Sequence, residues 1–269
     1  LSSRSWFYKY YEMNSEGYRD RDYDWEAEKS KTKVMVLGDS FVDGHGVDDP
    51  EDRFSNVLGS NLDESYSVHN LGKGGSDIKN GLERLREYPL QPDLLVFSYY
   101  PNDMEDDCQE AGYEIQRIAH MEEVPGVFRY FVKRSYLINY VYWLYPHGSD
   151  LFNYKEYLET CYSDSTALSI HLGHLDNMRG YADSLGIPMV TVVWPFLENI
   201  DETRFAAEPI LDHLDTTGGW AIDIGAMMQG RPAEDLIVNL NDAHANEQVH
   251  KEVGDSLYRF LRGNGFLID

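Results

Sequence analysis

Four apolar residues in a row, Val34-Met35-Val36-Leu37, run directly into Gly38-Asp39-Ser40-Phe41. Such a run, ended by glycine, reads as a strand buried on both faces, the kind found in a parallel sheet covered by helices. The turn that follows leaves a hydroxyl just past the strand's carboxyl end, where open α/β sheets bind their ligands. A serine there is a nucleophile only if the chain also supplies a base, an orienting partner for that base, and donors for an oxyanion.

The rest of the chain repeats the strand-then-helix rhythm. Phe54, Val57, Leu58 and Leu62 recur at helical spacing after Asp49-Pro50, a capping residue followed by proline at the first helical position. Residues 66–71 read as a second strand, leading into Gly72-Lys73-Gly74-Gly75-Ser76; Ile78, Leu82 and Leu85 mark the next helix, stopped near Pro89. Asp93 to Ser98 is a third strand, ending in Tyr99-Tyr100-Pro101-Asn102-Asp103. Leu168, Leu172, Leu175, Met178, Ala182 and Leu185 stripe one face of a long helix closed by Gly186. Ile187 to Trp194 is a fourth strand, a fifth lies near Ala221-Ile222-Asp223, and Val249, Val253, Leu257 and Phe260 share a face of the last helix. This alternation predicts a three-layer α/β/α sandwich around a five-stranded parallel sheet with right-handed crossovers, flavodoxin-like in layout. Residues 1–30, rich in aromatics and charges, read as an extended arm packed on a domain spanning 31–269. Residues 104–164 break the rhythm. Acidic Glu105-Asp106-Asp107 precede aromatic helical segments around 113–121 and 128–145, read as an insertion over the sheet's carboxyl edge, either a lid or a structural helical pair.

Charge narrows the partners. The chain has 23 basic and 47 acidic side chains, a net charge of −24. That field repels nucleic acid and anionic lipid. No run of about 18 apolar residues exists to span a membrane. Cys108 and Cys161 have no metal-like spacing and read as free thiols, with a single disulfide as the alternative. His171 and His174, three apart on the long helix, lack a carboxylate or cysteine pattern to complete a metal site and read as solvent-facing or satisfied side chains. His250 reads as structural, and His45 as a residue that lines a cleft beside the serine. No cofactor motif is present: Gly-Lys-Gly-Gly lacks the ending of a phosphate loop, and no Gly-x-Ser-x-Gly elbow exists.

Four loops fall at strand ends or before the last helix, and in order and spacing they resemble the blocks of the SGNH (GDSL-type) hydrolase family. Gly38-Asp39-Ser40-Phe41 matches the first block and Asn70-Leu71-Gly72-Lys73-Gly74-Gly75-Ser76-Asp77 the second. Asn102 in Pro101-Asn102-Asp103 matches the third, and Asp242-Ala243-His244 the last. The likeness spans about residues 31–262, and Asn14 to Asp20 resembles the run that precedes the first block in some bacterial members. Two departures stand out: Asp242 lies two residues before His244 where many members place Asp three before (Asn241 here), and Pro101 stands where glycine is usual.

The resemblance implies an esterase that needs no metal or organic cofactor. Ser40 would be the nucleophile, His244 the base and Asp242 its partner. The Ser40 and Gly75 N–H groups and the Asn102 side-chain amide would form the oxyanion hole. Each of these residues alone is more often a turn, a cap or a flexible loop; one mechanism requires them all. By analogy with the family the substrate is a small acyl ester, such as an O-acetyl group on carbohydrate. The alternatives are a polysaccharide O-acyltransferase and a carbohydrate-binding relic. The expected location is extracytoplasmic, periplasmic or secreted, with any signal peptide or anchor upstream of Leu1.

Overall fold

The structure is a computed structural model that describes residues 3–6, 9–114, 124–143, 154–239 and 242–267, with side chains described from residue 12 onward and to residue 142 in the helical pair before 144. The central sheet has five parallel strands: β1 (Thr32–Gly38), β2 (Tyr66–Gly72), β3 (Leu94–Tyr99), β4 (Met189–Val193) and β5 (Trp220–Asp223). Their order is β2-β1-β3-β4-β5. The order reverses between β1 and β3, so the loops after these strands diverge and open a crevice at the carboxyl edge.

Alternation along each strand builds two cores. Val34, Val36, Leu94, Val96, Val190 and Val192 face one layer, where helix α1 (Phe54–Ser60) packs beside the C-terminal helix α7 (Glu247–Gly263). Met35, Leu37, Leu95, Phe97 and Val193 face the other, covered by α2 (Ile78–Glu87), α5 (Ser165–Leu185) and α6 (Arg204–Thr217). With both faces covered, β1 at the middle of the sheet is buried on either side, which is why it reads as a continuous apolar run. The long helix α5 begins where Asp164 accepts hydrogen bonds from the Thr166 and Ala167 N–H groups, both at 2.9 Å, and ends at Gly186 in the left-handed conformation.

Several local expectations are corrected. The helix expected from Pro50 is split: Pro50–Asp52 forms a 3₁₀ turn, and α1 starts only at Phe54. Arg53 between them is extended at ψ 145°, because its buried guanidinium is drawn to the Arg19 carbonyl and the Asp20 carboxylate. The expected helix at 113–121 does not include Tyr113 and Glu114, and the remainder lies outside the described residues. The helix expected at 128–145 is two helices, Gly126–Arg134 and Tyr136–Trp143, parted at Ser135. Residues 104–110 form helix α3 and 154–163 helix α4. Cys108 on α3 and Cys161 on α4 are not free thiols; they form a disulfide across 53 positions. It sits in a small core of its own with Met104, Leu158, Tyr162 and Phe196. Near the N-terminus, Ser3–Trp6 and Lys9–Glu12 pair as an antiparallel hairpin.

Candidate active site

Ser40 opens a one-turn helix, Ser40–Asp43, immediately after β1. Asp39 caps that turn by accepting from the Phe41 N–H at 3.0 Å, and its carboxylate lies 3.3 Å from the Ser40 hydroxyl. Only glycine fits at the junction, since a Cβ on Gly38 would come within 2.8 Å of the Ser98 carbonyl oxygen.

The turn is tied down from two sides. Arg19 is buried and donates to the carbonyls of Asp43, at 3.2 Å, and Val47, at 2.7 Å. Asn70 on β2 donates to the Val42 carbonyl and to the Ser55 hydroxyl, both at 2.7 Å, and its side-chain oxygen accepts from the Gly72 N–H at 3.0 Å. The Asp20 carboxylate accepts from the Asn70 backbone N–H at 2.9 Å. Residues 14–20 and the second block therefore brace the loop that carries the serine.

His244 arrives from the far end of the chain. It lies on a short strand, Asp242–Ala245, paired antiparallel with Ile237–Asn239. The following Asn246 caps α7 by accepting from the Val249 N–H at 3.0 Å. His244 Nε2 is 2.9 Å from Ser40 Oγ, and its Nδ1 is 2.6 Å from Asp242 Oδ1. The same carboxylate oxygen accepts from the His244 backbone N–H at 3.2 Å. Asp242 is 10% exposed and His244 26%. Burial works to raise the Asp242 carboxyl, but the hydrogen bonds and charge of His244 outweigh it and hold the group below its ordinary value. Asn241, which stands where many family members have Asp, lies outside the described residues.

The three oxyanion candidates sit on neighbouring strand ends. Ser40 is two residues past β1, Gly75 three past β2 and Asn102 three past β3, and β1 pairs with both neighbours. Adjacent strands lie about 4.8 Å apart, so these loops share one edge of the sheet. Gly75 is left-handed at φ +73°, and a Cβ there would meet no protein atom within 4 Å. Its requirement for glycine is thus one of backbone conformation rather than of space within the protein. Asn102 lies in a 3₁₀ turn that Pro101 opens, and its Oδ1 is buried with no hydrogen-bond partner among the described residues.

Aromatic rings wall the site. Phe41 stacks on Tyr100 with centroids 4.3 Å apart and lies 5.3 Å from the His244 ring. His45, expected to line a cleft, places its ring 4.3 Å from that of His244.

A second polar network was not apparent from the sequence. The Tyr162 hydroxyl donates to the Pro101 carbonyl at 3.0 Å and is hydrogen-bonded to Tyr99. Tyr99 in turn lies 2.9 Å from His171 Nε2, and His171 Nδ1 lies 2.7 Å from Asp107. All four side chains are buried, and the chain ends on the residue before Asn102. His174 also reaches Asp107, at 2.9 Å. The structure therefore supplies the carboxylates missing from the sequence pattern, for Asp107, Glu110 and His174 come close enough together to hold an ion. The Lys79 ammonium, 3.3 Å from both Asp107 and Glu110, already supplies the positive charge there. In the other grouping of this kind among the described residues, His45, Asp242 and His244, the last two are engaged with each other and with Ser40 through the bonds above.

No family model matches the sequence, and no curated protein matches it. Solved structures do match. A protein assigned to the G-D-S-L lipolytic family from Desulfitobacterium hafniense DCB-2 superposes with a TM-score of 0.53 at 15% identity, over 85% of this chain and 99% of that one. The fold is that of the SGNH (GDSL-type) hydrolases. The psychrotrophic esterase EstA from Pseudoalteromonas sp. matches with a TM-score of 0.50 at 12% identity, over 88% of this chain and all of the other, 100%. A protein described as an arylesterase from Agrobacterium tumefaciens str. C58 matches at 0.50 and 13% identity, over 86% of this chain and 99% of its own. At these identities the likeness is one of SGNH fold, and what the chain does rests on its own residues.

Proposed function

We propose that this chain is a serine esterase that cleaves small acyl esters through an acyl-Ser40 intermediate. The observation that carries the reading is the continuous hydrogen-bonded path from Asp242 through both nitrogens of His244 to Ser40 Oγ. A serine hydroxyl is a poor nucleophile, and an imidazole at 2.9 Å is placed to take its proton as the oxygen attacks the ester carbonyl. Asp242 selects the tautomer with the proton on Nδ1 and stabilises the imidazolium that forms. The carbonyl oxygen becomes an oxyanion facing the Ser40 and Gly75 N–H groups and the Asn102 amide. Collapse breaks the ester C–O bond, and His244 returns its proton to the departing alkoxide. Water then attacks the acyl-serine with His244 as base, releasing the acid and restoring Ser40.

The substrate class follows the family resemblance: an O-acetyl group on carbohydrate is the first class to test. The Cys108–Cys161 disulfide supports an oxidising, extracytoplasmic setting, because cytosolic reductants keep such pairs open. The test is turnover of p-nitrophenyl acetate and of acetylated sugars by the wild type and by Ser40→Ala. The wild type turns over and the variant falls to the buffer rate. Equal rates in both would discard the proposal.

A further inference from the structure

The helical pair Gly126–Arg134 and Tyr136–Trp143 has a surface unlike the rest of the chain. Of the eleven exposed large apolar side chains among the described residues, nine lie between Val127 and Val141. Phe128 is 59% exposed, Phe131 49%, Leu137 71% and Tyr140 65%. Val132 on the first helix is buried, whereas no described side chain of the second is, and the large apolar side chains named above are open to solvent. Large apolar side chains gathered in the open on two adjoining helices mark a site of association.

Charge identifies the partner. Residues 124–149 carry Arg129, Lys133 and Arg134 and no Asp or Glu, in a chain with 47 acidic residues among 269. Lys133 and Arg134 are exposed, and the Arg134 guanidinium lies 5.0 Å from the centroid of the Tyr130 ring. We propose that this helical pair docks the protein on a phospholipid surface, with its exposed apolar side chains in the interface and its basic side chains at anionic headgroups. Aromatic and aliphatic residues flanked by Lys and Arg, without acids, are the composition that settles at such a boundary. The helices have 9 and 8 residues, about 13 Å each, so they lie on a bilayer rather than cross it. No helix among the described residues is long and apolar enough to cross.

The net charge of −24 opposes an anionic surface at long range, but at physiological salt charges more than about 8 Å away are largely screened. The local basic residues therefore decide the contact. A second copy of the chain fits less well, since it would set one basic face against another and bring two strongly acidic bodies together. The disulfide joins the two helices that flank this region in sequence. The proposal is independent of the Ser40 chemistry.

The test is flotation of the full chain with phosphatidylglycerol–phosphatidylcholine vesicles, with phosphatidylcholine vesicles, and without lipid, alongside sedimentation velocity. Phe131→Glu/Leu137→Glu should lower the apparent affinity for both vesicle types at least about tenfold. Lys133→Glu/Arg134→Glu should lower it about tenfold or more for the anionic vesicles and little for the neutral ones. Circular dichroism checks that the variants fold, and raising salt on the wild type gives a variant-free reading, weakening only the anionic arm. A wild type that floats with neither vesicle would overturn the proposal. So would variants that float like wild type, or a lipid-free dimer that Phe131→Glu/Leu137→Glu splits into monomers.

Discussion

Replacing Asp242 by Asn removes one negative charge and changes little else in shape. In the native site that charge is 2.6 Å from His244 Nδ1 and only 10% exposed. When His244 takes the Ser40 proton, the imidazolium and carboxylate charges are centred about 4 Å apart. At an effective dielectric near 20 their attraction is about 4 kcal/mol, equivalent to about a thousandfold in rate. The Asn amide can also donate to Nδ1, forcing the proton onto Nε2 where it faces the serine and blocks its activation. A wrong tautomer of this kind brings the loss to about ten-thousandfold in kcat. The assay is steady-state hydrolysis of p-nitrophenyl acetate, with KM read separately because Asp242 touches histidine and not substrate. A kcat within about threefold of wild type would refute the reasoning, since uncharged groups cannot replace several kcal/mol of ion-pair stabilisation.

Three further outcomes are expected. Asn102→Ala should lower kcat by about 10²–10³ with little change in KM, because its amide acts only on the developing oxyanion; steady-state kinetics on the same ester checks this. Cys108→Ser/Cys161→Ser opens a loop of 53 positions, which should cost about 4 kcal/mol of stability in chemical denaturation. His250 is buried and held neutral first by burial and then by the nearby Arg53 charge, its pKa lowered to about 3. Between its ordinary value and about 3 the unfolded chain therefore binds the extra proton, and native stability from this group is lost as pH falls. His250→Asn removes that titration, so the wild-type advantage in urea denaturation should shrink by about 1.4 kcal/mol for each pH unit below about 6.5.

The middle of the sheet was legible because β1 and β3 are covered on both faces and are apolar without a break at Val34–Leu37 and Leu94–Phe97. The loops with Ser40 and Asn102 were legible as the ends of β1 and β3, and the Asp242–His244 segment by its resemblance to the family's last block. What escaped the sequence depends on contacts between distant segments. Arg53 looks helical by position, yet its guanidinium is pulled to Arg19 and Asp20, more than 30 positions away, and the backbone follows. Cys108 and Cys161 pair only because α3 packs on α4. The Asp107–His171–Tyr99–Tyr162 chain joins residues whose spacing forms no motif, and two of them look like ordinary core aromatics. The basic, acid-free stretch at 124–149 was visible in the sequence, but only exposure distinguishes a covered helical pair from an open one.

Covalent trapping tests the central claim most directly. The protein is incubated with a p-nitrophenyl alkylphosphonate, which a serine–histidine pair converts to a stable phosphonyl-serine with release of p-nitrophenolate. Trypsin then yields the peptide Val34–Arg53 for mass spectrometry. The account predicts one phosphonyl group per chain, located on Ser40, and none in His244→Ala. An unmodified Val34–Arg53 peptide, or a label on another residue that persists in His244→Ala, would contradict it.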